Sequence, residues 1–103
     1  MEFGVVRVVS RDAQGLVIDG RCYQSELRVG GIFTLLYEVP LVDDGDTLRS
    51  EGRVNHQDVT LRVDRIEAYR REIEFINRGM TARLTLSGSG CDLVREGLVL
   101  GDG

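Results

Sequence analysis

Four arginines in the second half of the chain have the chemistry to bind phosphate groups or an acidic surface. They are Arg70, Arg71, Arg78 and Arg83, and we call them the arginine cluster. A guanidinium group is permanently charged, and its paired N–H donors match the oxygens of phosphates and carboxylates. The sequence therefore indicates a local basic patch suited to RNA phosphates or to an acidic protein surface. The alternative is that these arginines are solvated and balanced by the glutamates around them.

Three aspartates in the first half of the chain, Asp43, Asp44 and Asp46, surround Gly45 and have the chemistry to bind a cation. An EF-hand calcium loop also requires a glutamate at its twelfth position and flanking helices, and neither is evident in the sequence. We therefore expect no metal and no other cofactor. The remaining interpretation is an acidic loop that contacts a basic partner or simply faces water.

A histidine and two cysteines are the remaining candidates for catalysis. His56 and Asp58 are two residues apart, which on a strand places both side chains on one face. A catalytic His–Asp pair also needs a nucleophile, and Cys91 is distant in the sequence. Cys22 and Cys91 would form a disulfide only with their Cα atoms within about 7 Å and in an oxidising compartment, so we expect two reduced thiols. We predict no enzymatic activity.

The composition predicts one soluble globular domain covering residues 1–103. Apolar residues make up 42% of the chain and charged residues 29%, which is typical of globular proteins. No apolar run approaches the roughly 20 residues that span a bilayer, and no basic stretch followed by an apolar one opens the chain. We therefore expect a cytoplasmic location and no membrane partner.

The net charge limits the kind of nucleic-acid binding that is expected. All 13 basic residues are arginines, and 17 acidic residues bring the formal net charge to -4. Loose, sequence-blind attraction to nucleic acid depends on an overall basic surface. Any contact with RNA would therefore have to be local and specific.

The elements that must position these side chains begin with the stretch from Gln14 to Thr34, which predicts two strands joined by a polar connection. From Leu16 to Arg21, apolar and polar residues alternate with the strand period of two. Glycines punctuate the stretch where a chain in a small barrel must bend or let another backbone approach closely. These glycines are Gly15, Gly20, Gly30 and Gly31.

Strands are predicted along the rest of the chain as well. The full predicted set is Phe3–Ser10, Leu16–Tyr23, Gly31–Val39, Val59–Tyr69, Thr81–Leu86 and Leu98–Leu100. The segment Val42–Asp58 is predicted to be a loop that may contain a hairpin, and Ser87–Gly90 is predicted to be a loop. The segment Arg70–Gly79 favours a strand extension or bent connection over a helix, and Asp92–Glu96 predicts one helical turn. Short strands between turn signals indicate an all-β barrel.

Five stretches occur in the order found in a known family of domains. They are QGLVIDGRC (14–22), VGG (29–31), VDRIEAYRR (63–71), GMTARLTL (79–86) and REGLVL (95–100). Together they resemble domain 2 of the translational GTPases of the elongation factor Tu kind. The resemblance implies a small closed β-barrel of six to eight strands. The chain contains no GxxxxGK[ST] phosphate loop, so nucleotide hydrolysis of the P-loop kind is not expected.

The resemblance also implies a binding site. In the elongation factor, domain 2 holds the terminal adenosine and aminoacyl ester of charged tRNA with a Glu and an Arg, which correspond to Glu67 and Arg70 here. Tyr69 lies between them, and an aromatic ring can stack on a base while a guanidinium donates to phosphate or ester oxygens. An Asn and a Leu of the family's pocket are replaced by Thr81 and Thr85, so the pocket is altered.

We therefore predict a non-enzymatic binding module that docks onto a protein or ribonucleoprotein partner. The first alternative is recognition of a tRNA acceptor end, and thus RNA binding, through Glu67, Tyr69 and Arg70. The second alternative is a small acidic regulatory or inhibitory protein that uses the loop from Asp43 to Asp46 against a basic partner. Neither a nucleotide nor a membrane is expected as a partner.

Overall fold

The alternation of apolar and polar residues produces a series of strands in the computed structural model, which describes residues 1–39, 41–43, 48–50 and 52–102. The strands are β1 (Glu2–Asp12), β2 (Gly15–Gln24), β3 (Leu27–Arg28), β4 (Ile32–Glu38), β5 (Leu41–Asp43), β6 (Leu48–Ser50), β7 (Val54–Ala68), β8 (Arg71–Ile73), β9 (Phe75–Ile76), β10 (Thr81–Ser89) and β11 (Val99–Gly101). A short 3₁₀ helix, Cys91–Leu93, precedes β11. Within the described ranges, no helix has the length and apolar character needed to cross a membrane.

The main sheet closes on itself. Within the described residues, β10, β2, β1, β11, β4 and β7 are hydrogen-bonded in that order, and β7 also pairs with β10. All of these pairings are antiparallel. Because β7 pairs with β10, the six described strands form a closed ring, and each of them has a partner on both sides. Strand β8 extends from β7, while β3 pairs with β9 and β5 with β6. The prediction of a small closed all-β barrel is confirmed.

Apolar side chains on the inner faces of the strands fill the ring. In β10 the alternate residues Ala82, Leu84 and Leu86 are buried, as their spacing predicts. Phe33 and Leu36 of β4 are fully buried, because β4 lies between β11 and β7 rather than at an edge. Each fully buried side chain of this size stabilises the fold by roughly 1.5–3 kcal/mol relative to exposure. The ring is therefore held together chiefly by its packed interior.

The predicted loop Val42–Asp58 is wrong at its end. The prediction allowed for a hairpin within this segment, and β5 and β6 pair there. Strand β7, however, begins at Val54 rather than at Val59. The residues from Asn55 to Asp58 are all exposed, so this part of the strand has no buried face to produce an alternating pattern.

The predicted loop Ser87–Gly90 is also wrong, because β10 continues to Ser89. Gly88 lies opposite Leu61 in the ladder between β10 and β7. A Cβ atom at Gly88 would lie 2.0 Å from the carbonyl oxygen of Thr60. The glycine here permits a close approach of two strands rather than a turn.

The segment Arg70–Gly79 is not a helix, which confirms the preference for a strand extension. It contains β8, which pairs with β7, and β9, which pairs with β3. The predicted helical turn at Asp92–Glu96 is a 3₁₀ helix that covers Cys91–Leu93 instead, and Val94 is already extended. The buried residues of β2 are Leu16, Ile18, Gly20 and Cys22, so the alternation predicted from Leu16 to Arg21 is confirmed.

Gly20 is required by the close packing of β1 against β2. A Cβ atom at this position would lie 2.0 Å from the carbonyl oxygen of Gly4 and 2.5 Å from the ring of Phe3. Contacts below about 3 Å are not tolerated by real Cβ atoms. Any side chain at Gly20 would therefore push the two strands apart.

We predict that Gly20→Ala lowers the free energy of unfolding by about 2–3 kcal/mol, measured by urea denaturation, because the added methyl overpacks the strand pair. Gly97→Ala is the control, since nothing lies within 4 Å of a Cβ there and the change costs only the penalty of its positive φ of 88°. That penalty is roughly 1–2 kcal/mol. Equal losses for the two variants would contradict the packing argument.

Candidate functional site

The outer surface of the barrel carries an open groove beside the turn between β7 and β8. Its volume is about 330 Å³. The residues that line it are Val6, Asp19, Gly20, Glu67, Ala68, Tyr69, Thr81 and Ala82. A second hollow of about 300 Å³ shares Asp19, Glu67, Ala68 and Tyr69 with the groove and extends to Arg70 and Arg83. The structure therefore brings Glu67, Tyr69, Arg70 and Arg83 together, which the sequence analysis named as candidates.

The groove exists because β7 and β10 separate. Their ladder ends at the pair Arg83 and Glu67, whereas β10 continues beside β2 to Thr81. Strand β7 instead turns away after Ala68 to pair with β8. The buried residues Gly20, Ala68 and Ala82 line the groove, and their small side chains leave the space between the strands unfilled.

A β-bulge in β7 turns Glu67 toward the outer surface. Leu86 of β10 faces Val63, and Thr85 faces Arg65, so Asp64 is the extra residue. With strict alternation from the buried Val63, the side chain of Glu67 would point into the core. The extra residue reverses the alternation of inward and outward side chains, so Glu67 points outward. A hydrogen bond from Ser87 and then the Arg62 guanidinium lower the pKa of Asp64. These contacts hold the bulge in place.

A second bulge, in β1, exposes an apolar side chain at the groove. Val5 pairs with Gly20, and Arg7 pairs with Asp19, so Val6 has no partner in the ladder with β2. The side chain of Val6 is 64% exposed, which is unusual for a valine in the middle of a strand. The groove thus offers one aliphatic surface at Val6 and one aromatic surface at Tyr69.

A row of alternating charges crosses four strands beside the groove, and we call it the charge ladder. Glu67 of β7 faces Arg83 of β10, Arg83 faces Asp19 of β2, and Asp19 faces Arg7 of β1. Asp19 accepts hydrogen bonds from Arg83 Nε at 2.8 Å and Nη2 at 3.2 Å, and from Arg7 Nη2 at 2.8 Å. The Arg83 bond, followed by the Arg7 bond, lowers the pKa of Asp19 although partial burial opposes this.

The turn that presents Tyr69 and Arg70 has an unfavourable backbone for both residues. Ala68 pairs with Arg71, and the two residues between them have φ values of 54° and 63°. A two-residue hairpin turn with positive φ at both central positions is of type I′, which Asn-Gly and similar pairs favour. The Tyr69 side chain is 83% exposed. The chain therefore displays a ring and a guanidinium where stability alone would select small residues.

The other members of the arginine cluster lie at different places. Arg83 is held by Asp19 in the charge ladder. Arg71 begins β8, and Arg78 lies in the connection before β10; both are exposed, and neither forms an ion pair with another described residue. The structure therefore separates the cluster into one internally paired arginine and three exposed ones, of which Arg70 lines the hollow beside the groove.

None of the remaining candidate residues that the structure describes lines the groove. Asp44 and Asp46 lie outside the described residues, and of Asp43 only its position at the end of β5 is described. The ring of His56 contacts Tyr37 at a centroid distance of 5.7 Å, and no described ion pair joins His56 to Asp58. In the part of the chain that the structure describes, no group of three or more His, Cys, Asp and Glu side chains could hold a metal ion.

Both cysteines are free thiols. Cys22 is buried in the core, where its Sγ lies 3.2 Å from the carbonyl oxygen of Ser25. Cys91 is partly buried at the start of the 3₁₀ helix. Burial raises the pKa of both thiols, which makes them poor nucleophiles near neutral pH.

A buried polar cluster lies apart from the groove and was not anticipated. The hydroxyl of Tyr37 donates a hydrogen bond to Glu2, and Arg53 Nη2 lies 3.2 Å from the same carboxylate oxygen. The Arg53 guanidinium also stacks over the Tyr37 ring at 4.7 Å. Burial and the Glu2 carboxylate raise the pKa of Tyr37. Every polar group in this cluster has a partner, which indicates a structural role.

Sequence reasoning missed several residues of the groove. Asp19 was recognised only as a polar residue on the outer face of β2, and its partners Arg7 and Arg83 are remote in sequence. Val6 belongs to an apolar run, and nothing in that run indicates which valine is exposed. A bulge leaves no reliable sequence signal, so neither the exposure of Val6 nor the orientation of Glu67 could have been derived from alternation.

Comparisons with known proteins support the fold. No protein-family model matches the sequence, and no curated protein matches it. Among solved structures, the chain is similar to part of translation elongation factor SelB from Methanococcus maripaludis in its apo form, with a TM-score of 0.70 and 12% identity. The match covers 98% of this chain, which spans only 18% of that protein. The fold is therefore that of a translation-factor domain, which confirms the resemblance at the level of the fold.

We predict that Asp19→Asn lowers the free energy of unfolding at pH 7, and that the difference from the parent chain disappears on acidification. The folded pKa of Asp19 lies below its ordinary value of about 3.9. The stabilising contribution of the Asp19 carboxylate is therefore complete above about pH 4. It is lost as the pH falls through the lower pKa that Asp19 has in the folded state. Urea denaturation at several pH values measures this.

The control for this change is Asp92→Asn, which removes an exposed carboxylate that forms no ion pair with any described residue. It should leave the free energy of unfolding nearly unchanged at every pH. A loss for Asp19→Asn that persists undiminished at pH 2 would contradict the role of the charge ladder.

We predict that the double variant Tyr69→Asn/Arg70→Gly is more stable than the parent chain by about 1–2 kcal/mol in urea denaturation. Asn and Gly adopt positive φ with little cost, whereas other residues lose roughly 1–2 kcal/mol there. The control Tyr69→Ala/Arg70→Ala removes the same side chains but keeps the unfavourable backbone, so it should show no gain. A parent chain as stable as the Asn-Gly variant would disprove the strain.

Proposed function

We propose that this chain is a non-enzymatic binding module that docks onto a ribonucleoprotein partner by holding an unpaired RNA end in the groove. The observation that supports this most directly is the turn between β7 and β8. It displays Tyr69 and Arg70 at the wall of the groove although both residues have positive φ. A sequence retains such a turn at a cost in stability when the side chains are needed there.

The side chains around the groove match the chemistry of a terminal nucleotide. The exposed ring of Tyr69 offers a face on which a base can stack. Arg70 forms no ion pair with another described residue, so its donors are available for phosphate or ester oxygens. Glu67 lines the same groove, where its carboxylate can accept a hydrogen bond from a ribose hydroxyl.

The charges near the groove favour a specific contact over a loose one. The charge ladder contains two acidic and two basic residues, so it adds no net charge to the groove. Arg70, Arg71 and Arg78 then supply positive charge locally, in a chain whose formal net charge is -4. Such a distribution attracts phosphates at one place and repels nucleic acid elsewhere.

The acceptor end of tRNA is the RNA end that we propose. The similar solved structure is a translation elongation factor, and the resemblance of the segment 63–71 to domain 2 of elongation factor Tu assigns Glu67 and Arg70 to the acceptor end. Thr81 lines the groove where that family has an Asn. The replacement keeps a hydrogen-bonding group with a shorter reach, so we expect weaker binding than in the family.

We predict that charged tRNA binds the chain at low salt and that Tyr69→Ala and Arg70→Ala each weaken binding about tenfold. The loss of base stacking is worth roughly 1–3 kcal/mol per base, and 1.4 kcal/mol is a factor of ten. Fluorescence anisotropy of labelled tRNA measures the affinity. Arg95→Ala is the control, because it removes an exposed arginine that lines a different hollow.

Absence of tRNA binding, or binding that neither variant affects, would reject the acceptor-end proposal. Partners captured from cell extract would then be compared with and without RNase. Recovery that resists RNase would favour a protein surface as the target. Recovery that depends on Asp43, Asp44 and Asp46 would favour the acidic regulatory alternative, for which the described residues provide no further argument.

A further inference from the structure

Arg21 is the next outward-facing residue of β2 after Asp19 of the charge ladder. On the outer face of β2 it is two residues from Asp19, which corresponds to about 7 Å along a strand. It faces Thr81 of β10, which lines the groove. Arg21 therefore stands at the end of the groove that is remote from the charge ladder.

Arg78 is held close to Arg21 by the backbone. The connection that carries it is fixed to β2 by two hydrogen bonds, from Gly79 N to Cys22 O at 2.7 Å and from Cys22 N to Met80 O at 2.9 Å. The Arg21 Nη2 atom lies 3.9 Å from the position that a Cβ on Gly79 would occupy. The guanidinium of Arg21 thus lies over the residue next to Arg78.

These two arginines differ from most others in the described part of the chain because they have no partner there. Arg7 and Arg83 are held by Asp19, Arg28 by Glu26, Arg53 by Glu2, Arg62 by Asp64 and Arg65 by Glu67. Arg11 donates to main-chain carbonyl oxygens. Arg21 and Arg78 are exposed and form no hydrogen bond or ion pair with a described residue. Two unneutralised guanidinium groups on neighbouring backbone segments repel when they approach each other, and an anion between them removes that repulsion.

We propose that Arg21 and Arg78 form a phosphate-binding track at the end of the groove, over which the sugar–phosphate backbone of the RNA leaves its terminal nucleotide. This inference rests on the proposed function, since it assumes that an RNA end lies in the groove. It adds the direction in which the RNA chain runs, which is from Tyr69 past Thr81 toward Arg21 and Arg78. A guanidinium donates a forked pair of hydrogen bonds to a phosphate, which suits both residues to the role.

An RNA backbone fits this surface better than an acidic peptide does. The track begins at a groove whose walls are the aliphatic Val6 and the exposed ring of Tyr69, which suit a base. The groove also contains the carboxylates of Asp19 and Glu67, which would repel an acidic side chain. The surface therefore selects a ligand with an aromatic end and anionic groups that follow it, which is the order in single-stranded RNA.

The experiment measures the binding of adenosine and of single-stranded RNA with two, three and six nucleotides by isothermal titration calorimetry at several salt concentrations. For the RNAs and the parent chain, we expect affinity to rise with length and log K to fall with log salt. The variant Arg21→Ala/Arg78→Ala should bind adenosine, which has no phosphate, like the parent. For the hexanucleotide its salt slope should be shallower by about 1.4, which is about 0.7 for each of two phosphate contacts. Affinity at low salt should fall at least tenfold.

Two controls separate this effect from changes in total charge and in folding. Arg95→Ala removes one exposed arginine away from the groove, and it should leave both slope and affinity unchanged. Arg21→Lys/Arg78→Lys keeps the charge, and it should retain the parent's slope. The alanine variant should also retain the urea midpoint of the parent, because neither side chain forms a hydrogen bond or ion pair with another described residue.

The possible results distinguish the track from the groove. If no RNA binds the parent chain, the proposed function fails and the track fails with it. If RNA binds and Tyr69→Ala weakens it, but the Arg21→Ala/Arg78→Ala variant keeps the parent's slope, the groove stands and the track is overturned. If hexa-aspartate displaces the hexanucleotide at equal concentration, the surface does not select RNA and the proposal is likewise overturned.

Discussion

The pairing of β7 with β10 closes the sheet, and the surface described above depends on that closure. A ring of six strands leaves no open edge, but adjacent strands must also bend and shift register to meet. Two of these shifts, at Asp64 in β7 and at Val6 in β1, lie beside the groove. The first turns Glu67 outward, and the second exposes an aliphatic side chain. Where β7 leaves the ring after Ala68, the small residues between the strands leave a groove.

Two features of this groove have opposite effects on stability. Within the charge ladder Asp19 is paired with Arg7 and Arg83, while Glu67 is paired with Arg65 outside it, so both carboxylates lie beside the groove with partners. The turn at Tyr69 and Arg70 instead has positive φ at residues that disfavour it. Natural proteins commonly retain such local costs at sites of binding. The groove therefore has one side on which the charges are compensated and another, at Tyr69 and Arg70, on which the backbone is strained.

The strands could largely be predicted from the sequence, because burial on one face imposes the alternation of Leu16 to Arg21 and of Ala82 to Leu86. The start of β7 could not be predicted from the sequence, since its residues from Asn55 to Asp58 are polar on both faces. Gly88 indicated a loop, although it serves a close approach of strands. Glu67, Tyr69 and Arg70 were identified as candidates from a family resemblance. That they lie around one groove could be seen only from the register of the paired strands. Arg21 gave no signal of its own, because a polar residue is common at any outward position of a strand.

The central claim is that the groove beside Tyr69 holds the end of a single-stranded RNA. An NMR titration of the ¹⁵N-labelled chain with an RNA trinucleotide tests it most directly, because each backbone amide reports on its own surroundings. We expect the amide signals of Val6, Gly20, Tyr69 and Thr81 to shift in proportion to occupancy, and the signal of His56 to stay fixed. Shifts concentrated around His56, or no shifts at a saturating concentration of RNA, would contradict the account.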